Sequence, residues 1–93
     1  MIVNVENGIK TINLGTKGPN VLSVERAKEI ISELNYDDCK AVIIMGNEKV
    51  FSAGLNLKDL LAAKEASEVS VIFKTLRELL VACKDFPGPV ISI

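Results

Sequence analysis

The residues best suited to chemistry in this chain form one short segment, Phe51-Ser52-Ala53-Gly54-Leu55-Asn56-Leu57-Lys58. Ahead of it, Gly46-Asn47 lets the chain turn sharply out of an apolar run, and Gly54 lets the backbone approach a ligand with no side chain in the way. If a helix begins after Gly54, the N–H groups of Leu55 and Asn56 are among its unpaired donors. An anion or a polarised carbonyl placed there meets a donor together with the positive end of the helix dipole. Backbone donors need no particular side chain, so small residues matter more at such a site than acids or bases. The same residues also suit an ordinary strand–loop–helix connection with Gly54 as a turn residue. No Gly-Lys-Ser/Thr follows at phosphate-loop spacing, which argues against nucleotide hydrolysis by that route.

Other kinds of chemistry find little support. The chain has no histidine, so a triad that needs an imidazole base cannot be built from it alone. Cys39 and Cys83 stand apart with no CxxC spacing and no carboxylate cluster, and are expected to be reduced residues rather than metal or redox ligands. Glu48 and Asp59 flank the loop and would serve as bases only if burial raised their pKa; a polar turn and an early-helix position argue against that. Glu65 and Glu68 read as a solvated helix face. The formal net charge is −1 with lysines and acids interleaved, so no basic stripe is available to neutralise a phosphate backbone and nucleic-acid binding is not expected.

The elements that must position the loop follow from periodicity. Ile2 to Glu6 and Ile9 to Leu14 are β-rich runs joined by Asn7-Gly8, the pair that best tolerates the positive φ angles of a two-residue hairpin turn. Gly15 to Asn20 is a loop, and Ser23 is placed to cap a helix in which Val24, Ala27, Ile30, Ile31 and Leu34 recur at helical spacing. After a polar break over Asn35 to Cys39, the apolar run Ala41 to Met45 reads as a strand covered on both faces. A strand, helix, strand order implies a right-handed crossover between parallel neighbours. The stretch Leu55 to Ala63 reads as a leucine-rich helix. A longer helix from Glu68 to Asp85 carries one apolar stripe, stopped by Pro87-Gly88-Pro89 before a last strand to Ile93.

Composition bounds the whole. Ninety-three residues make one domain, 1–93, and a chain this short buries only about 60–65% of its unfolded surface. An apolar share of 48% and a mean hydropathy of +0.31 are high for that size, so some apolar surface is expected to meet another subunit or a further segment. Met1 to Glu6 shows neither a basic nor an apolar leader pattern, and no apolar run approaches the ~18 residues of a spanning helix. The expectation is a cytoplasmic protein without a membrane segment.

The loop and its context resemble the crotonase, or enoyl-CoA hydratase/isomerase, family. Phe51 to Lys58 is similar to that family's signature of an aromatic residue, two small residues, Gly, a variable residue, Asp, an aliphatic residue and Lys; Asn56 stands where the Asp is usual. Pro19-Asn20-Val21-Leu22 resembles the family's turn after its second strand, and the order of elements follows the family's over essentially the whole chain. The resemblance implies an α/β fold, a crotonase-like ββα spiral truncated to its N-terminal half. It implies acyl-coenzyme A thioesters as ligands, with coenzyme A entering as part of the substrate and no permanently bound cofactor. Leu55 N–H would be one of two oxyanion donors, and the carbonyls of Ala53 and Leu57 would accept from the adenine amino group beside Gly54. Lys17 aligns loosely with a basic position by the ligand phosphates, and a solvated loop lysine fits it better.

The family's second oxyanion donor and its acid/base carboxylates lie in or beyond a glycine-rich loop after the Pro-Val strand, and none maps onto residues 1–93. Two expectations follow: part of an acyl-CoA enzyme of the hydratase/isomerase type, or an inactive homologue acting as an oligomerising or binding module.

Overall fold

The first two strands are set by their turn. In the computed structural model, which describes residues 1–15, 18–35, 37 and 39–93, Asn7 and Gly8 both take positive φ, 53° and 78°. That twist matches the twist of the flanking strands. β1 (Ile2–Glu6) therefore pairs antiparallel with β2 (Ile9–Asn13), Glu6 opposite Ile9 and Ile2 opposite Asn13. Leu14 carries the next ladder on by one residue, its N–H donating to Met45 O at 2.9 Å.

β2 is followed by a short strand, β3 (Val21–Leu22), and by α1 (Val24–Glu33). Ser23 caps α1 as expected, its Oγ accepting from Arg26 N at 3.1 Å. The chain then returns as β4 (Ala41–Met45), parallel to β2, with Ile12 opposite Ile44. β5 (Gly54–Leu55), α2 (Leu57–Ala62) and α3 (Ala66–Asp85) follow, and Pro87-Gly88-Pro89 leads into β6 (Val90–Ser92), parallel to β4. The sheet order is β1-β2-β4-β6, with β3 and β5 forming a separate parallel pair.

The core lies between this sheet and the helices. Ile12, Leu14, Val42 and Ile44 alternate along β2 and β4 and meet Ala27 and Ile30 of α1 and Leu79 of α3, with Cys39 and Phe86 closing the cluster. Lys10 occupies the same inward face at 3% exposure, which its charge would not suggest. Its Nζ donates to Glu33 O at 2.9 Å and pairs with Glu33 Oε2 at 3.0 Å, so the buried ammonium sits at the negative end of α1.

Two expectations are corrected here. β4 is not covered on both faces: Val42 and Ile44 are buried, whereas Ala41, Ile43 and Met45 on the other face are only half-buried, because among the described residues no second layer lies over them. The helix expected from Leu55 begins at Leu57, because Gly54 and Leu55 are held as a strand opposite Val21 and Leu22.

Candidate functional site

The loop leaving β4 is built on close backbone approach. A Cβ on Gly46 would collide with Val50 O and Phe51 Cα and lie 2.6 Å from Phe51 O, so glycine is needed there for room. Asn47 closes the turn: its N–H donates to Val50 O at 3.0 Å and its Oδ1 accepts from Lys49 N at 2.9 Å and Val50 N at 3.0 Å. Its Nδ2 donates to Gly18 O at 2.8 Å, fastening this loop to the one that precedes β3.

A second set of bonds fastens the same two segments further on. Ala53 N donates to Pro19 O at 2.8 Å, and Asn20 Nδ2 reaches Phe51 O at 3.4 Å. Ser52 Oγ donates to Asn20 O at 2.7 Å and accepts from Gly54 N at 3.0 Å. Asn20 is buried and sits at φ 49°, a left-handed conformation that asparagine tolerates better than most residues. Gly54 has φ 88°, yet a Cβ there would meet nothing within 4 Å. Glycine is required at 54 by backbone conformation, and the space beside it is open.

The donors expected from a helix start are placed differently. Asn56, at φ −75° and ψ 107°, is the residue that caps α2, its Oδ1 accepting from Lys58 N at 3.0 Å. Leu55 therefore precedes the cap and lies in β5 rather than in the first turn of α2. The positive end of the helix dipole lies at Leu57, the Lys58 N–H being taken by the cap, and with six residues α2 is a short helix. Asn and Asp cap about equally well, so the departure at position 56 preserves the cap.

Among the residues singled out in the sequence, Ala53, Gly54, Leu55 and Leu57 are brought together along one edge of the loop; Ala53 and Leu57 are exposed, and Gly54 and Leu55 half-buried. Lys17 lies outside the described residues. Glu48 is exposed and lines an open cavity of about 830 Å³ with Gly18, Gly46, Val50 and Ile93 at the ends of β4 and β6. Asp59 lines a different cavity, beside Ser23, Asn56 and Glu68. Phe51 borders an apolar groove of about 460 Å³ with Leu22, Ile44, Leu80 and Cys83. Burial pushes the Cys83 thiol above its ordinary pKa. Among the described residues no cluster of histidine, cysteine or acids could hold a metal ion, and no helix is long and apolar enough to cross a membrane.

The bridge through Asn20 and Ser52 escaped the sequence reading. Its signals were present: an asparagine able to take positive φ directly after a proline, and a hydroxyl two residues before a loop glycine.

Comparison with known proteins places this geometry. Residues 4–93 match the family model described as enoyl-CoA hydratase/isomerase. The rat (Rattus norvegicus) protein named enoyl-CoA hydratase domain-containing protein 3, mitochondrial, is 29% identical over 93 residues, covering 95% of this chain and 31% of its own length. The crystal structure of the human protein of that name superimposes with a TM-score of 0.86 at 29% identity, over 98% of this chain and 38% of that one. An enoyl-CoA hydratase structure from Mycobacterium smegmatis shares the fold at a TM-score of 0.87 and 22% identity. The chain thus spans about a third of the length of the curated relatives it matches.

Proposed function

Because the chain belongs to the enoyl-CoA hydratase/isomerase family, we propose that its Ser52–Leu57 segment is one side of an acyl-coenzyme A thioester site. The observation that carries this reading is the pinned loop: Gly54 held at φ 88° next to open space, in a loop tied through Asn47 and Ser52 to the turn before β3. In this reading Leu55 N–H donates to the thioester oxygen as it gains negative charge on the way to an enolate. The carbonyls of Ala53 and Leu57 accept from the adenine amino group, Gly54 supplies the turn between them, and the family's basic position by the phosphates is assigned to Lys17.

Removing one preorganised oxyanion donor typically costs about 2.7–4 kcal/mol in the transition state, and removing a general acid or base costs a further 10²–10⁴-fold or so. The reading assigns the second donor and the acid/base pair to none of residues 1–93. Residues 1–93 alone are therefore proposed to recognise the thioester and polarise it weakly, with hydratase or isomerase turnover requiring those further groups. No cofactor is held permanently; coenzyme A arrives and leaves with the acyl group. A cytoplasmic site of action belongs to the same proposal, whereas the curated relatives are named as mitochondrial, and imaging of the tagged protein in cells decides between the two.

The test is calorimetric titration of the 93-residue protein with acetyl-CoA beside a Gly54→Val variant. Saturable heat that the variant loses supports the site; absence of heat from folded wild-type protein removes it. A second reading, a non-catalytic associating module, is favoured by the exposed apolar side chains Ile2, Ile9, Ile91 and Ile93. It predicts self-association without response to acetyl-CoA.

A further inference from the structure

We infer that the hydroxyl of Ser52 is a positioning group that sets the Ala53–Gly54 peptide and thereby aims the Ala53 carbonyl at the adenine of a coenzyme A ligand. The inference rests on the acyl-CoA reading above and adds to it a residue to which that reading gives no role. A serine hydroxyl has one donor and two acceptor sites. Here the donor is spent on Asn20 O at 2.7 Å, and one acceptor site takes the Gly54 N–H at 3.0 Å.

The peptide group is planar, and no cis bond occurs among the described residues, so the C=O of Ala53 points opposite to the N–H of Gly54. Holding that N–H against Ser52 turns the Ala53 carbonyl away from Ser52, at a residue that is exposed. Glycine visits φ of either sign with little cost, so beside the pairing of Gly54 with Val21 the hydroxyl is a second restraint on the direction of this peptide. Asn20 supplies the fixed end of the bridge: it is 9% exposed, and its Nδ2 is bonded to Phe51 O. Ala53 N, bonded to Pro19 O at 2.8 Å, restrains the preceding peptide, and the Ser52 hydroxyl acts on the next one, Ala53–Gly54.

The experiment compares wild type, Ser52→Ala and Ser52→Thr in titrations with acetyl-CoA and with S-acetylpantetheine, which carries the thioester but no adenine. Thermal midpoints confirm folding, and amide hydrogen exchange is followed at Gly54. Losing one neutral hydrogen bond's worth of preorganisation corresponds to a roughly 3- to 10-fold weaker Kd. That loss is expected for acetyl-CoA with Ser52→Ala, with little change for S-acetylpantetheine, faster exchange at Gly54, and recovery of both in Ser52→Thr. Equal losses on the two ligands, or no loss in a folded Ser52→Ala protein, would overturn the inference while leaving the acyl-CoA reading in place. Unchanged exchange at Gly54 would overturn it whatever the ligand data. Wild-type protein that binds neither compound removes the acyl-CoA reading itself, and the role toward adenine with it.

Discussion

At the scale of single residues, two glycines in one loop are required for different reasons, and their variants should behave differently. Gly46 is packed against the backbone of Val50 and Phe51, so Gly46→Ala must push the loop apart. Gly54 has room but sits at φ 88°, where a β-branched residue is a steric outlier. Gly54→Val is expected to cost about 1–3 kcal/mol of strain unless the loop relaxes, and relaxation would show as lost acetyl-CoA binding at nearly unchanged melting temperature. Lys10 is the second residue whose role is local and measurable. Its ammonium is 3% exposed and bonded to both the backbone and the side chain of Glu33. Glu33→Ala takes the carboxylate from beside a buried ammonium and leaves it the backbone O of residue 33, whereas Lys10→Met removes the charge and keeps an apolar stem. The first should therefore be the more damaging by urea denaturation, about 2–4 kcal/mol against about 1–2 kcal/mol. Cys83 gives a pH dependence whose sign follows from burial. A thiol pKa raised in the folded state makes its stabilisation complete below the unfolded value and lost as pH rises through the folded one. Melting temperature should fall above pH ~9 more steeply in wild type than in Cys83→Ala.

At the scale of elements, α2 is the weakest part of the site. It is six residues long, buries none of its residues, and depends on the Asn56 cap. Asn56→Asp should leave α2 intact, since the two residues cap about equally. Asn56→Ala should cost about 1 kcal/mol, appearing as faster amide exchange within Leu57–Ala62 while the sheet amides stay protected. The hairpin, the capped α1, the parallel return of β4 and the long α3 were legible in the sequence because each is written locally, by Asn7-Gly8, by Ser23, or by a run of apolar residues at one period. The start of α2 was not, because what holds Gly54 and Leu55 as a strand is pairing with Val21 and Leu22, more than thirty residues earlier. Local pattern carries no record of such a partner. Lys10 was illegible for the same reason: its burial is decided by the end of α1, not by its neighbours in β2. The loop chemistry was legible in residue types alone, as glycine and small residues, while the bridge that aims it runs through Asn20 and Ser52 and needed the fold.

At the scale of the whole molecule, the sheet is one-sided. The inward face is closed by α1 and α3, but register places Ile2, Ile9, Ile43 and Ile91 on the other face, where Ile2, Ile9 and Ile91 are 66%, 43% and 50% exposed. Ile9, Ala41, Ile43 and Ile91 form an apolar patch there, with Asn4, Glu6, Thr11 and Asn13 on the same face separating Ile2 from it, and apolar area left in water is costly at about 25 cal/mol per Å². Placing lysine at the centre of that face separates a surface effect from a core effect, because Val42 and Ile44 on the inward side are untouched. Purified 93-residue protein is expected to sediment as more than a monomer, and Ile9→Lys with Ile91→Lys should shift it to monomer while retaining the helical circular dichroism of the wild type. If the doubly substituted protein sediments as the wild type does, association runs instead through the exposed Phe73, Leu80 and Val81 of α3, and the sheet face is not what brings copies together. In either case Gly54 and Ser52 lie on the loop rather than on the substituted face. Acetyl-CoA titration of the monomer therefore shows whether thioester recognition is a property of one chain or of the assembled protein.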